Sequence, residues 1–362
     1  MTAVHRLSQL DCLRAVAVLL VLGGHFQPPK PEDTGALVAV LTRTWMYGGW
    51  TGVDLFFVLS GFLVSGLLFR EYQETGAVRP GRFLIRRGFK IYPAFYAMAI
   101  PILLLAQAPA RQVVSELFFV QNYLLPNFFG YTWTLAVEEH FYLLLAAVVW
   151  CAVRYRPDPF RVLPAACAVV AVGCLAARIA TVNDASYSIF DRLIPTHLRI
   201  DSLMFGVLLS YGWHFGQLRQ RTRGAQWWLL ALGVLLLAPA FIVPLSVTWW
   251  MPIYGVTLCY LGAGALLIGA LNLNLPDSRL VRGFARIGTY SYSIYLWHGV
   301  ANIATRPMLS FGVDWQVYAA AYVIGAGLLG ILTAKVIEMP ALAMRDRYFP
   351  ALRAPSRQAA AA

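Results

Sequence analysis

The chain has 362 residues, of which 59% are hydrophobic and only 13% charged. A soluble chain ordinarily carries about 25% charged residues, because a water-facing skin has to be polar. This composition excludes a single water-soluble domain and points to lipid as the surrounding solvent. The formal net charge is +12, but the basic residues sit between apolar blocks and form no long run, which speaks for membrane topology and against a nucleic-acid partner.

A spanning helix needs about 20 mostly apolar residues. In chain order the candidates are 10–26, 50–69, 91–108, 133–152, 162–180, 197–213, 227–244, 252–271, 288–305 and 315–337. The first follows Arg6 and faintly resembles a signal peptide. Asp11 and Arg14 interrupt it and no Ala-x-Ala site follows, so it reads as a retained helix. Gap 70–90 carries Arg70, Arg79, Arg82, Arg86, Arg87 and Lys90. Gaps 153–161, 214–226 and 272–287 and the tail are also basic. They alternate with gaps such as 27–49, where Lys30 and Arg43 offset Glu32 and Asp33, and 245–251, which has no charge. The positive-inside rule therefore predicts an all-α polytopic membrane protein with about ten transmembrane helices and both termini cytoplasmic. Residues 115–123 are expected to form an interfacial or re-entrant piece. One membrane domain over 1–345 and a short basic cytoplasmic tail over 346–362 account for the chain.

Cys12, Cys151, Cys167, Cys174 and Cys259 lie in apolar blocks without a Cys-x-x-Cys. Neither a disulfide framework nor a metal site is expected. The tryptophans at 45, 50, 133, 249 and 250 read as interfacial anchors. Ser60-Gly61 reads as a small-residue packing seam.

Ionisable groups inside membrane helices are costly, and each invites a functional reading. Arg14 and His25 are eleven residues apart. At 100° per residue they share a helix face, roughly 16 Å apart along the axis. The structural alternative pairs Arg14 with Asp11 as a snorkelling anchor. By topology, Asp54, Glu138, Glu139, Arg199, Asp201 and His298 fall at the outer depth of His25, which predicts an outward-facing polar cavity. At the inner end, Arg82, Arg86 and Lys90 recur every four residues and suit either positive-inside signalling or an anion site for phosphates.

These segments together resemble the membrane-bound acyltransferase-3 family. The first helix reads LDCLRAVAVLLVLGGHF, which is similar to the family's Arg-x10-His signature at Arg14 and His25. GVDLFFVLSGFL follows at 52–63, RFLIRRGFKIYP at 82–93, TWTLAVEEHFYLL at 132–144, SYSIYLWH at 291–298 and EMP at 338–340. The resemblance spans nearly the whole chain and singles out Glu138 in the Val-Glu-x-x-Phe-Tyr pattern. Lys90 stands where an arginine is common, keeping the charge and losing the bidentate fork. The esterase-like domain that follows in some relatives is not seen, so direct transfer or hand-over to a separate protein is expected.

The resemblance implies transfer from acetyl-CoA, or a similar acyl-CoA, to a carbohydrate hydroxyl in the bacterial cytoplasmic membrane. The acceptors it implies are O-antigen or exopolysaccharide units, free or lipid-linked, and macrolide sugars in some relatives. On this reading the catalytic residues are His25, Glu138 and Asp54, with His25 as general base or acyl carrier. Arg14, Arg82, Arg86 and Lys90 would hold the donor, and Arg199, Asp201 and His298 the acceptor. Membrane lipids are the other expected partner. A proton-coupled transporter and a non-catalytic envelope scaffold are the competing classes, separated by whether the purified protein consumes thioester.

Overall fold

The computed structural model describes residues 8–29, 31–124, 127–156, 158–181, 193–245 and 247–350. All regular structure among these residues is helical. In chain order the helices are α1 (Ser8–Gly24), α2 (Pro31–Thr34), α3 (Ala36–Gly48), α4 (Thr51–Thr75), α5 (Pro80–Leu105), α6 (Ala110–Leu117), α7 (Trp133–Tyr155) and α8 (Leu163–Ala180). There follow α9 (Ile200–His214), α10 (Leu218–Arg221), α11 (Gln226–Ile242), α12 (Val256–Leu271) and α13 (Arg279–Thr289). The chain continues through α14 (Ser291–Thr305), α15 (Pro307–Ser310), α16 (Trp315–Thr333) and α17 (Met339–Tyr348). A 3-10 turn, Thr196–Leu198, leads into α9. Wider π-helical turns, Met251–Gly255 and Ala334–Glu338, precede α12 and α17.

Among the described residues, six helical stretches are long and apolar enough to cross a membrane: Ala36–Thr75, Pro80–Leu105, Trp133–Tyr155, Leu163–Ala180, Met251–Leu271 and Trp315–Tyr348. The ten apolar segments of the sequence all fall on helical structure, the ninth split between two helices, but α1, α9, α11 and α14 have 15 to 17 residues. At 1.5 Å per residue they rise only about 22–26 Å.

Two expectations are corrected. Residues 36–48, expected in a connecting gap, form α3, whose Leu37, Val40 and Leu41 are exposed as a lipid-facing side would be. The segment expected as one helix over 288–305 breaks at Tyr290, which separates α14 from α13. Helix α13 carries Arg279, Arg282 and Arg286 at helical spacing and packs along α1. Of the tail, residues 351–362 lie outside the described residues.

Small residues set the closest helix approaches. A Cβ on Gly61 would lie 2.0 Å from the Leu203 carbonyl, and one on Gly206 2.3 Å from the Val58 carbonyl, so α4 and α9 touch along a glycine seam. A Cβ on Gly288 would lie 1.7 Å from the Asp11 carbonyl, which only glycine permits.

Two buried ion pairs cross-link the bundle. Arg199 donates to Asp54 at 3.0 Å and Arg178 to Asp201 at 2.8 Å, with all four side chains at most 1% exposed. Ser202 Oγ adds a bond to Asp54 at 2.9 Å, and Arg178 also donates to the Leu198 carbonyl and to Thr257. Charges withdrawn from water survive only when paired and hydrogen-bonded. The network therefore ties α4, α8, α9 and α12 in one register.

Candidate active site

A cavity of about 390 Å³ opens among α1, α4, α5, α7, α13, α14 and α17. One end is basic, with Arg14, Arg87, Lys90 and Arg345. Its walls carry Ser60, Glu138, Tyr142 and Tyr292, and Thr134 and Tyr295 line it one turn further along α7 and α14, at its far end. The floor and sides are apolar, with Val53, Phe56, Phe57, Leu59 and Ile91. A few convergent polar groups in an apolar cleft of this size suit a small-molecule ligand.

Helix periodicity explains which basic groups arrive. Lys90 and Ile91 follow Arg87 by three and four residues on α5, so all three reach the side that looks into the cavity. Arg82 and Arg86, expected to hold the donor alongside Lys90, are outside the lining. Arg86 turns to the end of α17 instead, donating to the Phe349 carbonyl and to Asp346 at 3.1 Å. Arg87, which the four-residue spacing passed over, stands 5.7 Å from the Tyr142 ring centroid. Lys90 is paired with Glu338, which also accepts from Ser293 Oγ at 2.6 Å. Arg14 keeps its i, i+3 pair with Asp11 at 3.0 Å while lining the cavity.

Neighbouring glutamates separate by helix geometry. Glu138 lines the cavity and accepts from the Tyr142 hydroxyl at 2.8 Å, and that hydroxyl meets Ser60 Oγ at 2.8 Å. Glu139, about 100° further round, is buried and accepts from Tyr92 at 2.8 Å.

His25 sits just past the end of α1 and is exposed. Its Nδ1 lies 3.0 Å from the Val21 carbonyl. That contact assigns the proton to Nδ1 and leaves Nε2 as the lone-pair nitrogen. Its own carbonyl accepts from Asn302 Nδ2 at 2.7 Å. The next residues are clamped too. Phe26 packs among Trp45, Trp315, Tyr318 and Tyr322, and Trp315 Nε1 donates to the Gln27 carbonyl at 2.9 Å.

The His298 ring is fully buried, 4.6 Å from that of His25 and 4.7 Å from that of Tyr131. Its Nδ1 faces the Tyr295 carbonyl, and its Nε2 has no partner among the described residues. Tyr131 is fixed at both ends, its hydroxyl donating to the Leu296 carbonyl at 3.0 Å and its carbonyl accepting from the Tyr295 hydroxyl at 2.6 Å. Thr134 Oγ1 meets that Tyr295 hydroxyl at 2.5 Å. Thr134 and Tyr295 thus stand between the cavity and the histidine pair.

Behind Tyr131, the Glu116 carboxylate accepts from the amides of Phe128 and Phe129 at 3.0 Å each and from Thr132 Oγ1 at 2.8 Å. Burial pushes this carboxyl above its usual range, against the pull of those three bonds.

The groups expected to share one outward cavity therefore occupy four settings, with Glu139 held by Tyr92 outside the lining. His25 and His298 meet beyond the far end of the cavity, and Glu138 lies in its wall. Asp54, Arg199 and Asp201 belong to the buried ion-pair network and are outside the lining. Hydropathy places these charges at one depth, but a charge in lipid is satisfied by the nearest countercharge, which depth alone does not identify. Sequence reasoning missed Arg87, Arg345, Tyr131, Thr134, Tyr142, Tyr295 and Glu116. Arg87, Thr134, Tyr142 and Tyr295 fall inside the motifs at 82–93, 132–144 and 291–298 and are the visible signal.

The pattern of the acyltransferase-3 family, described as an acyltransferase domain, matches residues 7–335. Among curated proteins, the chain is similar to a peptidoglycan O-acetyltransferase, OatA, of Listeria monocytogenes. The two are 26% identical over 366 residues, covering 91% of this chain and 55% of the relative. It is also 26% identical to the O-acetyltransferase OatA of Staphylococcus aureus, covering 91% of this chain and 56% of that protein. The chain thus spans a little over half the length of these relatives. No solved structure matches it. With a family match over almost its entire length, the chain belongs to the acyltransferase-3 family.

Proposed function

We propose that the protein is a membrane O-acyltransferase that moves an acyl group, in the simplest case acetyl, from acyl-CoA to a hydroxyl of cell-envelope carbohydrate. The observation that carries this reading is a basic mouth on an apolar cavity, with the His25–His298 pair just beyond Thr134 and Tyr295 and no hydrogen-bond partner for His25 Nε2 among the described residues. Arg14, Arg87, Lys90 and Arg345 suit the phosphates of the donor. The apolar walls suit its pantetheine arm, and the thioester would arrive at Thr134 and Tyr295. The acceptor approaches from the exposed side of His25. We place ten helices across the bacterial cytoplasmic membrane with both termini inside, because the basic gaps alternate. The basic mouth then faces the cytoplasm and His25 the outer side.

In the reaction, the acceptor O–H proton passes to His25 Nε2 as its oxygen bonds the thioester carbonyl carbon. The tetrahedral intermediate collapses with cleavage of the C–S bond. The thiolate takes back the proton from the imidazolium, so an ester and a free thiol leave. General-base catalysis of this kind contributes roughly 10²–10⁴-fold. The relatives' names direct the choice of acceptor toward peptidoglycan sugars, with O-antigen, exopolysaccharide or small glycosides as the alternatives to be assayed.

The test is transfer of labelled acetyl from acetyl-CoA to envelope glycans by purified protein in nanodiscs. His25→Ala is expected to abolish transfer while protein yield and donor binding persist. Transfer at the wild-type rate in that variant would remove His25 from the chemistry. Absence of any thioester consumption by the wild type would favour the transporter reading.

A further inference from the structure

A second cavity of about 580 Å³ lies apart from the histidine pair. It is formed where α4, α9 and α12 end and where α1 and α11 begin. Arg70, Arg219 and Arg223 line it with His214, Asn272 and Asn274, and none of the described residues in its wall is acidic. None of the three arginines forms an ion pair among the described residues. A positive-inside loop needs only charge and works equally well with side chains splayed into water. Here the loop is held down. Asn272 Nδ2 donates to Thr222 Oγ1 at 3.1 Å, and Thr222 Oγ1 donates to the Leu218 carbonyl at 2.8 Å. Gly224 supplies the left-handed turn, at φ 80°, that returns the chain into α11. The Arg219 guanidinium stands 5.8 Å from the Trp213 ring centroid, so an indole props it toward the cavity. Beside the mouth, Trp227 and Trp228 at the start of α11 are 68% and 81% exposed, as residues at a headgroup layer are. Leu63 lines this cavity and the first one, so the two share a wall.

We propose that this second cavity is a binding site for a phosphate ester group, gripped by Arg70, Arg219 and Arg223 beside an aromatic rim. Guanidinium forks match phosphate oxygens bidentately, and basic pockets between membrane helices are typical seats for phosphorylated headgroups. Two sources present that chemistry at this place: an anionic phospholipid in the surrounding leaflet, and the nucleotide end of a soluble donor reaching past Leu63. The first is independent of the proposed acyl transfer, and the second rests on it.

The experiment uses the whole protein in nanodiscs and an R219Q/R223Q variant, with R221Q as control, since Arg221 is on the same loop but outside the lining. In one arm, native mass spectrometry counts phosphatidylglycerol retained from mixed phosphatidylglycerol–phosphatidylcholine discs. In the other, coenzyme A is titrated onto protein in phosphatidylcholine discs. The double variant is expected to bind one of these probes about thirty-fold more weakly, at ~1 kcal/mol for each basic residue near the surface. R221Q should bind both as wild type does. Loss confined to phosphatidylglycerol assigns the site to lipid, and loss confined to coenzyme A assigns it to the donor. Unchanged binding of both probes, or equal loss in R221Q, overturns the proposal. Monodisperse elution and unchanged helical circular dichroism certify the fold. If the double variant fails either check, R223Q alone is read in the same two arms.

Discussion

His25 and His298 stand ring to ring, with 4.6 Å between centroids and 67° between planes, the first exposed and the second sealed from solvent. Each directs Nδ1 at a backbone carbonyl one helical turn earlier. Two imidazoles therefore present the same nitrogen, Nε2, to the space around them. A residue that solvent reaches can meet an acceptor, and a sealed one can only act on its neighbour.

His298→Gln is expected to cost about a hundred-fold in kcat, the scale of a misplaced catalytic group, with little change in KM for acyl-CoA. The measurement is steady-state transfer with both substrates varied. A wild-type kcat would show that the buried ring only fills space.

Glu138→Gln is expected to cut kcat/KM by roughly 10- to 150-fold, the loss of one charge-assisted bond. Glu139→Gln keeps its contact to Tyr92 as a neutral acceptor and should act mainly on thermal stability. Because the two changes remove the same charge, a dead Glu139→Gln beside a normal Glu138→Gln would reverse the assignment.

Arg87→Ala should raise KM for acyl-CoA by about 10- to 150-fold, since a lining guanidinium is lost. A truncated pantetheine thioester, which has no nucleotide phosphates, should be affected far less. Arg86→Ala removes a partly exposed pair to Asp346, worth ~0–1 kcal/mol. Its KM should stay within a few-fold of wild type. Equal damage with both donors in Arg87→Ala would make that residue structural.

Glu116→Ala releases the turn that holds Tyr131 and should lower both the thermal midpoint and kcat. Tyr131→Phe loses the hydroxyl bond to the Leu296 carbonyl and the weaker contact to Met98 Sδ, about 0.5–1.5 kcal/mol, and should retain most activity. Differential scanning fluorimetry beside transfer rates separates the two. An unaffected midpoint in Glu116→Ala would show that the clamp contributes no rigidity.

Hydropathy made the helical skeleton legible, because apolar length is a local property of the chain. Segments 133–152 and 162–180 were placed within a few residues of α7 and α8. Helix α3 was hidden because Arg43 and Gly48-Gly49 read as a gap, although the helix lies beside α1 and α11. The stripe of Arg14 and His25 was visible in one helix's periodicity. The partners of Asp54 and Lys90 were not, because they lie 145 and 248 residues away. Periodicity says which side chains share a face, and only packing says what that face meets. That is why the four-residue spacing points to Arg86 while the cavity is lined by Arg87.

The distance along the chain between Asp54 and Arg199 has a consequence for biogenesis. Helix α4 is synthesised 145 residues before its countercharge. At ~5–20 residues per second, Asp54 waits on the order of ten seconds or longer without its arginine. During that interval the aspartate is expected either to be neutral or to remain sheltered by the insertion machinery, and α4 stays poorly committed to lipid. Nascent chains truncated just before Arg199 should therefore be cleared faster than the same chains carrying Asp54→Asn. Equal lifetimes for the two truncated chains would contradict this order of assembly.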